Sequence, residues 1–440
     1  MSSFELGLAS FPIVLALIFL RVPIGLAMLV VGMVGSALVL GSWSPMMAQL
    51  KSLTLTTFST YSLSIIPLFL LMGQFATLGG MSRALFRASE AFLGHRRGGV
   101  AMATIGACAG FGAICGSSLA TAATMGQIAL PELRRSGYSG ALATGTLAAG
   151  GTLGILIPPS IVLVIYAILT EQNIAKLFVS AFVPGVLAAI GYMIAISIYV
   201  RMKPDSAGQR GRASRAERLV ALLEVWPVLL IFLLVVGGIY LGWFTPTEGA
   251  AVGAAGTGLS ALVSGGLTRQ NLIEAFLATA TTTALIFFIV FGAGVYNAFL
   301  ALSQLPNELG AMVAGAGLNP WFVLVIILFA YLVLGCVMDS LSMILLTIPI
   351  VFPIVTGLDY GLSPEEFGIW FGIIVLIVVE VGLITPPVGM NLFVIRSMAP
   401  DIPISATYRG VVPFVISDIV RTAILVAFPA ITLFVIRLLP

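Results

Sequence analysis

Charge is scarce in this chain. Of its 440 residues only 8% are Asp, Glu, Lys or Arg, whereas 60% are hydrophobic, and the mean hydropathy is +1.15. Soluble globular domains carry about 25% charged residues, so this composition excludes a soluble protein. The net charge of +3 says little, because in a membrane protein the placement of charge is more informative than its sum. The sequence predicts an all-α polytopic membrane protein.

Histidine and cysteine are also rare. The single histidine, His95, stands in "GHRRGG", which is typical of an interfacial loop. A serine protease within the membrane would need a buried histidine, and the chain contains no other. Cys108, Cys115 and Cys336 lie in apolar surroundings without paired spacing, so we expect them to be packing residues. An intramembrane aspartyl protease would need a Gly-x-Gly-Asp type of motif, and "LGCVMD" stands in its place. These features disfavour an enzyme.

Apolar runs recur along the chain, each long enough at about 20 residues to cross roughly 30 Å of hydrocarbon. The uninterrupted candidate spans are 4–20, 23–41, 62–80, 178–200, 223–243, 248–265, 275–300 and 413–436. Lys and Arg concentrate around 99–132 and in the hydrophilic stretch "RMKPDSAGQRGRASRAER". By the positive-inside rule, both regions face the cytoplasm.

Two further apolar segments are interrupted at their centres by small and polar residues. Segment 99–132 contains "GAICGSSLATAATMG" and has basic residues at both ends, so we predict a re-entrant hairpin that enters and leaves on one side. Two closely packed crossing helices with small residues at their interface are the alternative. Segment 310–357 contains "GCVMDSLSMILLTIPI", and its flanks lack Lys and Arg, which predicts a second hairpin on the external side.

Each hairpin is followed by an apolar run with a glycine and a Pro-Pro pair. The runs are 141–169, with "GILIPPSI", and 366–395, with "GLITPPVG". Proline removes a backbone donor and clashes with the preceding turn, so both runs are predicted to be broken helices. The carbonyl groups freed at such a break suit Na⁺, and a half-helix N-terminus suits a carboxylate. A simple proline kink is the alternative.

The order of hairpin and broken helix therefore occurs twice, with opposite entry sides. This predicts an inverted repeat, with a first half at 1–200, a basic cytoplasmic linker at 201–221 and a second half at 222–440. Secondary transporters are commonly built in this way, with binding sites where the broken helices meet. An ion channel is the less favoured alternative, because a channel has little use for two hairpins of opposite entry.

Four motifs, "GSSLATAATMG", "GILIPPSI", "MDSLSMILLTIPI" and "GLITPPVGMNLFV", occur in this order, and together they resemble the large membrane subunit of tripartite ATP-independent periplasmic (TRAP) transporters of the DctM or SiaM type. The resemblance covers nearly the whole chain. It implies an importer in the bacterial inner membrane that is driven by Na⁺, carries an organic acid such as a C4-dicarboxylate or sialic acid, and moves like an elevator. A single-component Na⁺/carboxylate symporter of similar inverted-repeat fold is the alternative.

The resemblance also implies partners and ligands. A periplasmic substrate-binding protein delivers the acid, and a small four-helix membrane subunit completes the complex. Because the first span starts at residue 4, we expect that small subunit to be a separate chain. At least two Na⁺ ions are expected, and no organic cofactor.

The positions that match the family's motifs imply two cation sites and a substrate site between the hairpin tips. The first cation site would comprise Ser117, Ser118, Gly154 and Pro158; the second would comprise Asp339, Ser340, Gly382, Thr385 and Pro387; the substrate would contact Ser118, Ser160 and Asp339. Only the second cation site would carry a formal charge.

Acidic residues within apolar runs are costly and usually functional. We expect Na⁺ to balance Asp339, because neither the hairpin tips nor the broken helices contain Lys or Arg; a protonated Asp that caps a half-helix is the alternative. Glu380 is expected to pair with a basic residue of another span, while titration or a place in the binding site stays open. Asp418 and Arg421 are expected to pair at the membrane interface.

Overall fold

The computed structural model describes residues 2–438, and every regular element in that range is helical. The all-α prediction is therefore confirmed. The first ten helices are α1 (Ser3–Phe19), α2 (Ile24–Leu40), α3 (Trp43–Ser59), α4 (Ile65–Leu78), α5 (Met81–Leu93), α6 (Gly99–Cys115), α7 (Ser118–Arg135), α8 (Gly140–Leu156), α9 (Ile161–Thr170) and α10 (Ile174–Met202). The next ten are α11 (Arg215–Tyr240), α12 (Pro246–Val263), α13 (Arg269–Ser303), α14 (Leu305–Gly315), α15 (Pro320–Gly335), α16 (Ser340–Thr356), α17 (Pro364–Ile384), α18 (Met390–Met398), α19 (Ile404–Ala427) and α20 (Pro429–Leu438).

The outer helices have the surface expected of a protein dissolved in lipid. Across residues 2–438, six helices are long and apolar enough to span a membrane, and the bent pair of α8 and α9 would make a seventh. Large aliphatic side chains such as Leu233, Leu285 and Ile416 are more than half exposed. Helix α17 differs, because every residue from Phe367 to Ile384 is buried. It therefore lies at the centre of the molecule.

Both predicted hairpins are pairs of helices joined at a tight break. In the first, α6 ends at Cys115, Gly116 adopts a left-handed φ of 62°, and α7 begins at Ser118. The second consists of α15 and α16 and begins at Pro320, so the predicted start at residue 310 is wrong. The reason is local: Gly317 turns the chain after α14, and Asn319 caps α15 with Pro320 at its first position.

Both Pro-Pro pairs lie in breaks between half-helices. Helix α8 ends at Leu156 and α9 begins at Ile161, with a bend of 43° between them. Helix α17 ends at Ile384 and α18 begins at Met390. The two predicted broken helices are thus confirmed as elements of the fold.

The two halves of the chain interlock through these elements. Within each half the hairpin packs on its own broken helix: α6 and α7 on α8, and α15 and α16 on α17. Across the halves, α7 contacts α18 and α16 contacts α9. Glycine pairs allow the close approach, since a Cβ built on Gly112 would lie 2.6 Å from the Gly154 Cα, and one built on Gly382 would lie 2.6 Å from the Gly335 Cα.

The basic linker is shorter than residues 201–221, because α11 already begins at Arg215, after Ser214 caps it. The linker is fastened to the open end of the first hairpin. Arg210 pairs with Glu90 and with Glu132, the latter at 2.9 Å.

Ion pairs mark two ends of the helical assembly. Arg134, at the end of α7, lies 2.7 Å from Asp401 in the loop before α19, and this hydrogen bond lowers the pKa of Asp401. At the other end, Lys176 lies 2.5 Å from Glu365, at the start of α17. The termini of α7 and α17 are thereby tied to their surroundings.

Candidate functional site at the two hairpin tips

The first hairpin tip rests against the break of the first broken helix. Ser117 caps α7, and its side chain accepts from the Ala120 N–H at 3.4 Å. Gly154 leaves room for this tip, because a Cβ there would lie 2.6 Å from the Ser117 carbonyl oxygen. Pro158 lies in the same break and is buried. The structure therefore brings together Ser117 and Gly154, two of the residues predicted for the first cation site, while their role as ligands stays a prediction.

Thr121, one turn into α7, also lies beside Gly154 at the first hairpin tip. Its buried Oγ1 has no hydrogen-bond partner among the described residues, and a Cβ on Gly154 would lie 2.4 Å from it. A buried hydroxyl without a partner is costly. Together with the Ser117 carbonyl it offers the neutral oxygen ligands that a hard cation prefers. Thr121 stands within the motif "GSSLATAATMG", but it was not among the site residues predicted from that motif.

The second hairpin tip is tied to the second break. Asp339 caps α16, and its Oδ2 accepts from the Ser342 N–H at 3.1 Å. The Gly389 N–H, after the break, donates to the Cys336 carbonyl at 2.9 Å. Gly382 contacts the end of α15. A backbone hydrogen bond and close glycine packing therefore join the second hairpin to the second broken helix.

The other residues expected at the second site already have protein partners. The Thr385 hydroxyl donates to the Val381 carbonyl at 2.6 Å, which leaves its oxygen free to accept. The Pro387 carbonyl accepts from the Tyr408 hydroxyl at 2.6 Å and retains one lone pair. Each of these two oxygens therefore keeps a lone pair with which it can accept a further ligand.

The two breaks differ in access to the surface. Pro158 and Pro159 are buried, whereas Pro386 and Pro387 are exposed and Asp339 is half-buried. The charged tip thus lies at the more open of the two sites.

Glu380, in the central helix α17, joins the two tips. Its side chain is 1% exposed. Oε2 accepts a short hydrogen bond from the Ser118 hydroxyl, and Oε1 accepts from the Ser340 hydroxyl at 2.6 Å. Its partners are therefore hydroxyl groups of the two hairpins, rather than the basic residue that the sequence analysis expected.

The three residues expected to contact substrate have different surroundings. Ser118 is buried and engaged by Glu380. Ser160 is fully buried and caps α9, where its side chain accepts from the Leu163 N–H at 3.4 Å. Asp339 is the only one of the three that reaches the surface in this conformation.

A second buried polar cluster lies behind the first broken helix. The Tyr192 hydroxyl donates to Asp418 at 2.7 Å and lies 2.9 Å from the Thr152 hydroxyl. Arg421 also donates to Asp418, at 2.8 Å. The expected pair is present and it is buried, because Asp418 is 1% and Arg421 7% exposed. Helices α8, α10 and α19 enclose it, which a spacing argument on α19 alone cannot reveal.

The donor atoms at the tips favour a hard monovalent or divalent cation over a transition metal. Hydroxyl, carbonyl and carboxylate oxygens make up the set, and no group of three or more His, Cys, Asp or Glu side chains suited to a metal occurs among the described residues. The N-termini of α7 and α16 meet there too, and helix N-termini attract anions. The tips therefore combine oxygen ligands with two helix N-termini.

Known proteins are similar to this chain in sequence. A family model described as "Tripartite ATP-independent periplasmic transporter, DctM component" matches residues 11–431. The C4-dicarboxylate TRAP transporter large permease protein DctM of Pseudomonas aeruginosa is 39% identical over 389 residues, which cover 88% of this chain and 89% of that protein. The sialic acid TRAP transporter large permease protein SiaM of Vibrio cholerae is 31% identical over 420 residues, covering 95% and 96%.

A solved structure shares the fold. The crystal structure of the YdaH transporter of Alcanivorax borkumensis aligns with a TM-score of 0.59 at 16% sequence identity, over 87% of this chain and 89% of that one. At this identity the similarity concerns the arrangement of the helices alone.

Proposed function

The chain belongs to the family of DctM components of TRAP transporters, and from this premise we propose that it is the large permease subunit of a Na⁺-coupled importer of an organic acid. It is a multi-pass membrane protein of a transporter family and not an enzyme. The observation that carries the proposal is the meeting of two polar hairpin tips, through Ser118 and Ser340, on one central helix.

Na⁺ is the proposed coupling ion because the tips supply oxygen ligands and little charge. The first site offers the Ser117 carbonyl and the unpartnered Thr121 hydroxyl beside Gly154. The second adds the carboxylate of Asp339 and the Thr385 oxygen. A set with at most one carboxylate suits a monovalent cation better than a divalent one, since divalent sites gain affinity with ligand charge.

An organic acid is the proposed substrate. The relatives are named for C4-dicarboxylate and for sialic acid, both of which carry carboxylates. A substrate carboxylate near the tips would gain from the N-termini of α7 and α16, but it would be repelled by Asp339. Na⁺ at Asp339 removes this repulsion, so the ion and the acid bind favourably together. This is a physical basis for coupled uptake.

The proposed movement is that of an elevator. The two hairpins and the two broken helices form one interlocked unit, α6–α9 with α15–α18. A second group of helices packs together beside it: α2 on α13, α4 on α12 and α13, and α11 on α12. Alternating access would arise as the first unit moves against the second, which serves as scaffold.

The bacterial inner membrane is the proposed location, and two partners are proposed. They are a small four-helix membrane subunit as a separate chain and a periplasmic binding protein, in keeping with a family described as tripartite and periplasmic.

Reconstituted uptake tests the function. In proteoliposomes with an inward Na⁺ gradient, the chain with its small subunit and binding protein should accumulate a labelled C4-dicarboxylate or sialic acid. The chain alone should show uptake lower by about tenfold or more, because no captured substrate is delivered to it. The control is the full complex with K⁺ in place of Na⁺. Strong Na⁺-dependent uptake by the chain alone would instead identify a single-component symporter, and saturable counterflow would exclude a channel.

A further inference from the structure

Glu380 uses each of its two carboxylate oxygens for a different hairpin. Oε2 accepts from Ser118 in α7, and Oε1 accepts from Ser340 in α16. All three residues are almost fully buried: Glu380 and Ser118 are 1% exposed, and Ser340 is 4% exposed. No other acidic side chain among the described residues bonds to both tips.

The two contacts are equivalent in the fold. Ser118 is the first residue of α7, after the cap Ser117, and Ser340 is the first residue of α16, after the cap Asp339. Each donor therefore stands at the positive end of a half-helix, where a carboxylate is stabilised by the helix dipole as well as by the hydrogen bond. One buried carboxyl group thus bridges two helix ends.

The first half of the chain has no such residue. Glu380 stands two residues before Gly382, and the position two residues before Gly154 is Thr152. The Thr152 hydroxyl bonds to the Ala149 carbonyl at 2.7 Å and faces Tyr192, away from the tips. A single carboxylate in the second half thus serves both tips.

We propose that Glu380 is a positioning residue that couples the two hairpin tips, so that a change at one tip alters the order of the other. If either serine moves away, a buried oxygen of Glu380 is left without its hydrogen-bond partner, and an unpartnered polar atom is costly in a buried site. Coupling of this kind is reciprocal. The structural coupling of the tips does not depend on the proposed function; only its effect on Na⁺ binding does, because that effect requires the tips to be the cation sites.

Hydrogen–deuterium exchange on the full-length chain measures the coupling without any transport. The segments to follow are 116–122 and 338–344, which cover the two tips. Ser118→Ala should speed exchange at the second tip about threefold or more in the otherwise native chain, and it should have no such effect when Glu380 is replaced. An unchanged second tip in Ser118→Ala would overturn the proposal.

Two substitutions of Glu380 separate the effect of side-chain length from that of the carboxyl group. Glu380→Asp keeps the carboxyl group but is shorter by one methylene, so it should lose one contact and uncouple the tips. Glu380→Gln keeps the reach, and its amide can accept from one serine and donate to the other, so coupling should weaken but persist. Thr152→Val is the matched control at the corresponding position, and it should leave both tips unchanged. Equal coupling in Glu380→Asp and the native chain would contradict the proposal, and Glu380→Gln decides the matter if the shorter variant does not fold.

A Na⁺ titration of uptake distinguishes this inference from the proposed function. The native complex should respond to Na⁺ with a Hill coefficient of about 2, and Glu380→Asp should lower it, because the two sites would then bind Na⁺ independently. If native uptake does not depend on Na⁺, the proposed coupling ion is wrong, while the exchange experiment still decides the role of Glu380. If Na⁺ dependence and its steepness survive in Glu380→Asp, the function stands and the coupling role falls.

Discussion

Asp339 has two roles, as the N-cap of α16 and as a carboxylate without a basic partner among the described residues. As the cap of α16 it satisfies the Ser342 N–H through one oxygen, and as a half-buried carboxylate it carries a charge that no Lys or Arg pairs with in the described chain. An asparagine would cap equally well, because Asn and Asp are similar N-cap residues. The two roles can therefore be separated by one substitution.

Asp339→Asn should fold and assemble normally and should abolish Na⁺-driven uptake or weaken it by about a hundredfold, since the charge that balances the ion is gone. Uptake against external Na⁺ concentration is the measurement, with complex assembly checked by size-exclusion chromatography. Ser118→Ala is the comparison: it removes a neutral oxygen and should raise the Na⁺ concentration for half-maximal rate without abolishing uptake. A folded Asp339→Asn variant with native Na⁺ dependence would leave capping as its only role.

Among the helices, the close contact of the first hairpin with the first broken helix depends on the absence of a side chain. Any Cβ at Gly154 would meet the Ser117 carbonyl, which belongs to the backbone and cannot rotate away. Contacts below 3 Å force a shift of the hairpin tip itself. The oxygen set of the proposed first site would then change shape.

Gly154→Ala should therefore destabilise the protein by roughly 1–3 kcal/mol, as overpacking does, and should reduce uptake severely. Thermal unfolding in detergent and uptake in proteoliposomes give the two readouts. Gly237→Ala is the matched control, because a Cβ at Gly237 in α11 meets no atom within 4 Å. That variant should be unchanged or slightly more stable, since alanine favours helix over glycine. Native stability and uptake in Gly154→Ala would show that the tip does not depend on this contact.

At the scale of the whole molecule, the structure offers a native cysteine for testing the elevator movement. Cys115 lies at the tip of the first hairpin, and Gly73 lies on α4, which packs on α12 and α13. A Cβ on Gly73 would lie 3.5 Å from the Cys115 Sγ, at ordinary contact distance. Gly73→Cys should therefore form a disulfide with Cys115 on oxidation.

Uptake by Gly73→Cys should fall by about tenfold or more on oxidation and return on reduction, because the hairpin would be fixed to the scaffold. Cys108 and Cys336 are replaced first in all variants. Gly73→Cys combined with Cys115→Ala is the control, and it should be insensitive to oxidant. Full uptake with a complete crosslink, verified by mass spectrometry, would show that the first hairpin does not move against α4.

The sequence by itself determined the class of protein and the kind of each element. Low charge and long apolar runs require a membrane protein, and a Pro-Pro pair breaks a helix wherever it stands, so the breaks at 158–159 and 386–387 were predictable from local chemistry. The hairpin tips followed from glycine and serine within apolar runs. The start of the second hairpin was missed by ten residues, because the turn at Gly317 and the cap at Asn319 are weaker signals than the surrounding apolar pattern.

Only the tertiary structure decided which polar groups meet. Ser118 and Glu380 are 262 residues apart, so no spacing along the chain could show that they bond. Nor could it show that the Thr121 hydroxyl, beside Gly154, has no hydrogen-bond partner within residues 2–438. The same holds for Asp418 and Arg421, whose burial depends on helices far away in sequence. Proline, glycine and hydrophobicity act within a turn or a span, whereas burial and the pairing of polar groups are properties of the assembled helices.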